Sequence, residues 1–508
     1  MRIAAVVLAL LAILPGADAS LPQFVDVARQ SGVVFHHTNG ASPEKHLVET
    51  MGSGAVFFDY DGDGWIDIFL VDGGSVVDAA ADGRARHRLF HNRGNGTFED
   101  VTDRSGIDHR AYGMGACAGD YDGDGKPDLF ITGFGANALY RNRGDGTFAD
   151  VTASAHVGAA RWGAGCAWAD LDGDGDLDLW VTQYVDADRA HNPFCGDTRR
   201  GLRFYCHPLK YDPLPSIVYR NDLSTGSGQA ARIFTDVTDS SGVAALRGNG
   251  MGVLVTDYDG DGRLDLVITN LDFEMHSVFR GLDRGLFSYA ATESGIGFPT
   301  LPFVGFGVAF LDFDNDTQLD VAIANGHILD NAPLYRSGST YMQRKLLFRN
   351  LANRRFGEVG RQAGPAFAVN RVSRGLAVGD IDNDGDLDLL VNNNGGDAEL
   401  LRNDGGNRAN SLLVKLRGTA PNTDAIGARV KVTTGSKTQV REVRAGSSYL
   451  SQNDLRAHFG LGAAARVDRI DVTWPSGRTD SFDDVASNQI VTIEQGKGIV
   501  ATAATRRP

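Results

Sequence analysis

The sequence predicts an all-β chain: a β-propeller of six blades by repeat count, or seven if a degenerate blade is hidden, then a small β-sandwich-like C-terminal domain. Three observations predict it. One Asp-rich loop, D-x-D-x-D-x-x-x-D, recurs six times. Around each copy, short runs of alternating apolar residues broken by turn formers read as four antiparallel strands per unit. A stray copy of the unit's last strand, F-V-D-V-A-R-Q-S-G-V from Phe24, precedes the first loop, and the final unit lacks that strand. Four-strand units repeated in this way are the sign of propeller blades, and the stray strand can complete the last blade and leave no long open edge.

The chain opens on a secretory leader over residues 1–19. Arg2 supplies its positive end, Ile3 to Leu14 a short apolar run, and Ala17-Asp18-Ala19 a small-x-small cleavage site before Ser20. That run falls well short of the roughly 20 residues needed to span a bilayer. Export to the periplasm or the extracellular space is expected, with no transmembrane segment.

The repeat region covers 20–407. Its loops carry carboxylates at positions 1, 3, 5 and 9. These are Asp59, Asp61, Asp63 and Asp67 in the first loop, and Asp120, Asp122, Asp124 and Asp128 in the second. The third has Asp170, Asp172, Asp174 and Asp178, and the fourth Asp257, Asp259, Asp261 and Asp265. The fifth has Asp312, Asp314, Asp316 and Asp320, and the sixth Asp380, Asp382, Asp384 and Asp388. Such a set gathers hard oxygens around one point, which suits Ca²⁺ with a backbone carbonyl near position 7; Mg²⁺ rarely uses such all-protein cages. Without a cation, the carboxylates would repel one another. An EF-hand starts the same way but closes on a bidentate Glu at position 12. Here position 12 is Leu70, Ile131, Val181, Ile268, Ile323 and Val391, so the ninth-position Asp closes the loop instead. Up to six Ca²⁺ are expected. The fifth loop departs from the others, with Thr317 where Gly is usual.

A Gly-rich apolar strand leads into each loop and an alternating strand leads out. A segment such as L-F-H-N-R-G or L-Y-R-N-R-G follows, then F-x-D-V-T. The 87-residue gap between the third and fourth loops holds an insertion containing Cys195 and Cys206, which reads as a loop closed by a disulfide in an oxidising compartment. Cys117 and Cys166 sit in Gly/Ala-rich strands and read as small buried thiols.

These units resemble FG-GAP/VCBS repeats, as in integrin α-subunit propellers and the cartilage acidic protein family; the resemblance covers roughly 24–407 and implies calcium held within the blades. The stretch from Ser411 through Asn422-Thr-Asp-Ala-Ile-Gly, Gln439-Val-Arg-Glu-Val-Arg-Ala-Gly-Ser-Ser-Tyr-Leu-Ser-Gln-Asn, His458-Phe-Gly-Leu-Gly and Val472-Thr-Trp-Pro-Ser-Gly-Arg resembles the ASPIC/UnbV domain. It is placed at 408–495, and 496–508 reads as a flexible tail. No known chemistry comes with that resemblance.

The formal charge of −15 disfavours nucleic acid. Six Ca²⁺ would bring it to about −3, so much of the acidity belongs to the loops. No nucleophile elbow, P-loop, H-E-x-x-H or CxxC pair is present, and no catalytic residue is assigned. His327, at a strand exit, and Trp162, one of three tryptophans around the third loop, are candidates for a ligand face; locally bonded His and core Trp are the alternatives. Arg441, Glu442, Tyr449 and His458 read as ordinary strand-face residues rather than a polar patch. Two functions follow. One is a calcium-stabilised recognition or adhesion module for a protein or glycan partner. The other is a secreted polysaccharide-active hydrolase or lyase on a propeller scaffold, whose paired carboxylates the loop Asp residues would mask.

Overall fold

The computed structural model describes residues 20–76, 86–159, 161–223, 232–245, 253–334 and 338–506. The leader at 1–19 lies outside them.

Six four-stranded antiparallel sheets form the blades. Blade one is Ala55–Phe58, Asp67–Leu70, Arg88–Asn92 and Phe98–Asp100; blade two is Tyr112–Gly119, Asp128–Phe134, Ala138–Asn142 and Phe148–Asp150. Blade three is Gly163–Ala169, Asp178–Gln183, Ile217–Leu223 and Arg232–Asp236; blade four is Val253–Thr256, Asp265–Ile268, Ser277–Gly281 and Phe287–Tyr289. Blade five is Gly305–Leu311, Asp320–Asn325, Leu346–Asn350 and Phe356–Glu358. Blade six takes Ser373–Gly379, Asp388–Asn393 and Glu399–Asp404 from the end of the array and its fourth strand, Gln23–Asp26, from the start. Phe24 lies opposite Asn403 and packs edge-on to Phe367 at 5.2 Å, so the stray strand completes the last blade as its sequence predicts. No seventh blade is present among the described residues.

The alternation of the strands sends one apolar row into each inter-blade core. Phe57, Ile68 and Leu400 pack between blades six and one; Val56, Leu129 and Tyr140 between one and two; Phe130, Trp168 and Leu179 between two and three. Val267, Val308 and Val321 close blades four and five, and Ala309, Leu347 and Leu389 close five and six. Blades three and four share no such core among the described residues, and Val253 on the first strand of blade four is 47% exposed.

Cys195 and Cys206 are bridged, and the two-stranded hairpin Cys195–Asp197 with Leu202–Phe204 forms inside the loop they close. Cys117 and Cys166 are also bridged, which corrects the reading as free thiols. They stand on the innermost strands of adjacent blades, 5.9 Å apart at Cα, because the Gly/Ala-rich strands let the two blades approach there. Forty-nine residues of sequence hide that proximity.

The C-terminal domain is two four-stranded sheets. One orders Ala457–Gly462, Asn410–Arg417, Gln489–Glu494 and Gly498–Ala504; the other orders Lys437–Glu442, Arg429–Thr434, Arg466–Thr473 and Thr479–Ala486. Leu412, Val430, Phe459, Ile470, Trp474 and Val491 fill the space between them. Gly498–Ala504 is therefore an edge strand paired along Gln489–Glu494, not a tail. Its Ala/Thr composition, with Ile499 and Val500 partly exposed, gives little apolar contrast to read.

One loop of this domain leaves it. Residues 445–453, A-G-S-S-Y-L-S-Q-N, run into the central channel of the propeller. Ala445 bridges to Trp168 and Gln452 to Val56. Leu450 O accepts from Ala116 N at 3.3 Å, and the Tyr449 hydroxyl donates to Met51 O at 3.1 Å. Tyr449 and Leu450 share an apolar cluster with Met114, Trp162 and Phe306 from the channel ends of three blades. This plug explains the glycines at the inner strands of blades one, two and six, where Gly54 and Gly115 face Leu450 and Gly375 faces Ser451. A Cβ on Gly54 would lie 1.7 Å from Leu450 O, and one on Gly446 would lie 2.2 Å from Cys166 O.

Candidate metal loops and the face they occupy

All six Asp loops join the first strand of a blade to its second, so they lie together at one end of the propeller. The second loop shows how the sequence builds them. Asp120 Oδ1 accepts from Gly123 N and Asp124 N at 2.9 and 3.0 Å, and Oδ2 from Gly125 N at 2.7 Å. Asp124 Oδ1 accepts from Lys126 N at 3.1 Å. These self-bonds wrap the backbone around the carboxylates, and Gly at positions 4 and 6 supplies φ of +74° and +87°. In the fifth loop Asn315 and Thr317 hold φ of +55° and +84°. A β-branched residue there is strained, so the departure noted in the sequence is a conformational cost as well.

The ninth-position Asp is fixed by the strands. Asp128 Oδ2 accepts from Tyr121 N at 3.2 Å and Oδ1 from Asn142 N at 2.8 Å. The same clamp recurs at Asp67, Asp178, Asp265, Asp320 and Asp388. This is why the Arg/His-Asn segment accompanies the loop: its backbone orients the closing carboxylate. The twelfth-position residues lie on the second strands, with Leu70, Ile131, Val181, Ile323 and Val391 buried.

In the first four loops, oxygens of three carboxylates come within 4.8 Å of one another: Asp59–Asp61–Asp63, Asp120–Asp122–Asp128, Asp170–Asp172–Asp178 and Asp257–Asp259–Asp265. Burial, reinforced by neighbouring carboxylates, pushes Asp128, Asp312, Asp320 and Asp388 well above the usual range; burial also lifts Asp380 to about 8 and Asp265 to about 6. Asp59 Oδ1, Asp314 Oδ1, Asp382 Oδ1 and Asp386 Oδ1 are sealed from solvent with no hydrogen-bond partner. Orphaned, buried, hard oxygens facing one another fit a divalent cation with oxygen ligands.

The C-terminal domain sits on this end of the propeller. Lys415 Nζ reaches Asp59 Oδ2 at 2.8 Å, Thr423 Oγ1 donates to Asp120 Oδ2, and Asp424 Oδ2 accepts from Asp120 N at 2.8 Å. Arg456 donates to Asp380 O at 2.7 Å, and His458 Nε2 lies 3.3 Å from Gly385 O. Lys437 Nζ donates to Thr317 Oγ1 at 2.7 Å. A cavity of about 370 Å³ remains between the first two loops and the domain, lined in part by Asp59, Lys415, Arg417, Asp424 and Arg456.

The two candidates for a ligand face are both interior. Trp162 is fully buried between Phe134 and Tyr184, with ring centroids 5.2 and 5.3 Å away, and presents no surface for stacking. His327 is 3% exposed; its Nδ1 accepts from Leu329 N at 2.8 Å and its Nε2 lies 3.3 Å from Asp272 Oδ2. Tyr449 fills the channel, while His458 and Arg456 face the sixth loop. The sequence reading missed the plug; Tyr-Leu set between Gly-Ser-Ser and Ser-Gln-Asn was the available signal.

Comparison with known proteins agrees with this architecture. Residues 59–131, 120–181 and 257–323 match the FG-GAP-like repeat, and residues 418–500 match ASPIC and UnbV. The chain is a propeller of FG-GAP-like repeats joined to an ASPIC and UnbV domain. It is 29% identical over 269 residues to cartilage acidic protein 1 of Homo sapiens, covering 51% of this chain and 37% of that one. The Mus musculus protein of the same name is 28% identical over 288 residues, covering 54% and 40%, and the Xenopus tropicalis protein 29% over 255 residues, covering 48% and 36%. The match thus spans well under half the length of these relatives. Among solved structures, an Agrocybe aegerita lectin that recognises non-reducing terminal N-acetylglucosamine aligns at 15% identity with a TM-score of 0.30, over 67% of this chain and 75% of its own.

Proposed function

We propose that this chain is an exported, calcium-binding β-propeller that acts as a recognition or adhesion module for a protein or glycan partner. Calcium has a structural role. It would be held by the carboxylates at positions 1, 3, 5 and 9 of the oxygen-only loops, where it neutralises like charges that otherwise destabilise the blade turns. Two disulfides support an oxidising compartment, and no helix among the described residues is long and apolar enough to cross a membrane.

The observation that carries the reading is a division of faces. The Asp-loop end is committed to the C-terminal domain and the channel to residues 445–453. The opposite end is free of the C-terminal sheets, with Tyr449 and Leu450 reaching it only from within, and it carries the disulfide-closed hairpin, which leaves the second strand of blade three at that end. The hairpin is braced from below: Tyr205 donates to Glu49 Oε2 at 3.0 Å and Asn192 Nδ2 to Glu44 O at 2.6 Å. Above the brace, Phe194, Leu202 and Leu209 are 49%, 40% and 77% exposed. Apolar side chains held outward on a rigid, cross-linked loop suit partner contact.

The test is capture of partners on immobilised full-length protein in calcium, from a glycan array and from cell-surface extracts. A variant with Phe194→Ser, Leu202→Ser and Leu209→Ser should lose the captured species while keeping its melting temperature. Equal capture by variant and wild type would reject the hairpin as the contact surface.

A further inference from the structure

The residue before the Asn that clamps the closing Asp, or before the Gly that does so in blade four, is arginine in five blades: Arg141, Arg220, Arg280, Arg349 and Arg402. In blade one it is His91. Where the arginine reaches the loop it behaves as a counter-ion: Arg141 Nε lies 2.6 Å from Asp122 Oδ2, and Arg349 lies 2.7 Å from Asp314 Oδ2. Arginine stays protonated and has no lone pair to give a metal; a neutral imidazole has one and is the commonest protein ligand for transition ions.

His91 is aimed into its loop. Nδ1 lies 3.2 Å from Asp61 Oδ2 and 3.4 Å from Asp67 Oδ1, and the three groups present ligand atoms within 4.8 Å of one another. Nδ1 is sealed from solvent, so these two carboxylates are the groups it faces. Asp59 Oδ1, in the same loop, is likewise sealed, and it is unpartnered, while its Oδ2 is occupied by Lys415 Nζ at 2.8 Å and Gly64 N at 3.1 Å. Asp67 is fully buried and held by Tyr60 N and Asn92 N, so its orientation toward His91 is set by the strands. Two ligands each about 2.0–2.1 Å from a tetrahedral ion stand about 3.3 Å apart. The observed 3.2 and 3.4 Å separations match that edge.

We propose that the blade-one loop is a mixed nitrogen–oxygen site for a borderline transition ion of the Zn²⁺ class, ligated by His91 Nδ1, Asp61 and Asp67. The other loops offer oxygen alone, the donor set of Ca²⁺; an imidazole ligand moves selectivity toward Zn²⁺ and its neighbours. The inference rests on the reading of these loops as cation sites, and the two fail separately in the experiment below.

Full-length, tag-free protein is stripped with chelator, returned to millimolar calcium, and titrated with Co²⁺ followed by Zn²⁺. Wild type should take up one Co²⁺ with a visible absorption band that Zn²⁺ abolishes. His91→Arg, which restores the residue of the other five blades, should weaken that uptake by at least about 100-fold, and His91→Gln should do the same. Thermal stabilisation of both variants by calcium should persist. His87→Gln, at a histidine whose Nε2 lies 3.1 Å from His109 Nδ1 and away from the loop, should leave the band unchanged. The proposal is overturned if wild type shows no band in calcium, or if both His91 variants keep it. Loss of the band with calcium stabilisation intact in wild type would reject this site and leave the calcium reading standing; the reverse result would do the opposite.

Discussion

Replacing Tyr449 tests whether the C-terminal domain is packed into the propeller or merely rests on it. Its ring meets Phe306 edge-on at a centroid distance of 5.0 Å, on a ring that also carries the Arg374 guanidinium at 3.8 Å. Its hydroxyl donates to Met51 O, and the residue is 6% exposed. Tyr449→Ala removes an aromatic ring from a closed cluster that cannot refill from solvent, a loss of about 3–5 kcal/mol. Tyr449→Phe keeps the ring and leaves Met51 O without its donor, at about 1–3 kcal/mol. The difference between the two variants isolates the packing of the ring. Urea unfolding of the full chain, followed by tryptophan fluorescence, reads it directly, because Trp162 shares the cluster. If Tyr449→Ala costs no more than Tyr449→Phe, at an unchanged dependence on urea, residues 445–453 do not fill the channel in solution.

Two further outcomes are expected. Chelation of calcium from the full chain should lower its melting temperature, since a site occupied at 100 times its Kd contributes about 2.7 kcal/mol to the native state alone; an unchanged transition after confirmed removal of metal would reject the calcium reading. His37 is fully buried, with Nε2 2.8 Å from Ser53 Oγ and Gly395 N donating to Nδ1, and burial, with His36 and Arg374 nearby, lowers it to about 3. Above pH 6.5 the ring is neutral in both states and contributes no pH dependence. As pH falls from 6.5 toward 3, the unfolded chain takes the proton first and stability drops, by up to about 1.4 kcal/mol per pH unit for this one group. His37→Gln should flatten the stability profile between pH 6.5 and 4; parallel profiles would show that the histidine does not carry the effect.

The sequence made the blades legible because their signals are local. Asp59 to Asp67 fold around themselves, Gly at positions 4 and 6 sets the turn, and Leu70 at position 12 declares a strand. The stray strand at Phe24 was legible for the same reason, as a copy of a motif seen elsewhere in the chain. What stayed hidden depends on residues far apart in sequence. Cys117 and Cys166 meet because two inner strands lie side by side. The Gly-rich segments read as apolar strands leading into the loops, yet at Gly54 the missing Cβ makes room for a segment about four hundred residues later. For Trp162 and His327 the sequence left a ligand face and an interior place both open; the structure packs one inward among aromatics and the other beneath a neighbouring carboxylate. His91 was visible as a departure from Arg within a repeated motif, but its consequence depends on where its Nδ1 points.

The plug also sets a timetable for assembly. The fourth strand of blade six emerges within the first 26 residues, its partner ends at Asp404, and the channel is filled only by residues up to 453. A chain made or threaded from its N-terminus must therefore hold its opening strand unpaired while five blades form. It then carries a hollow ring until the second domain arrives. Those long-range closures are the slow, aggregation-exposed steps of such a topology. A chain cut anywhere between 404 and 445 keeps every repeat yet leaves Gly54, Gly115 and Gly375 lining an empty bore, so the tolerance of this propeller to truncation is set by a loop outside it.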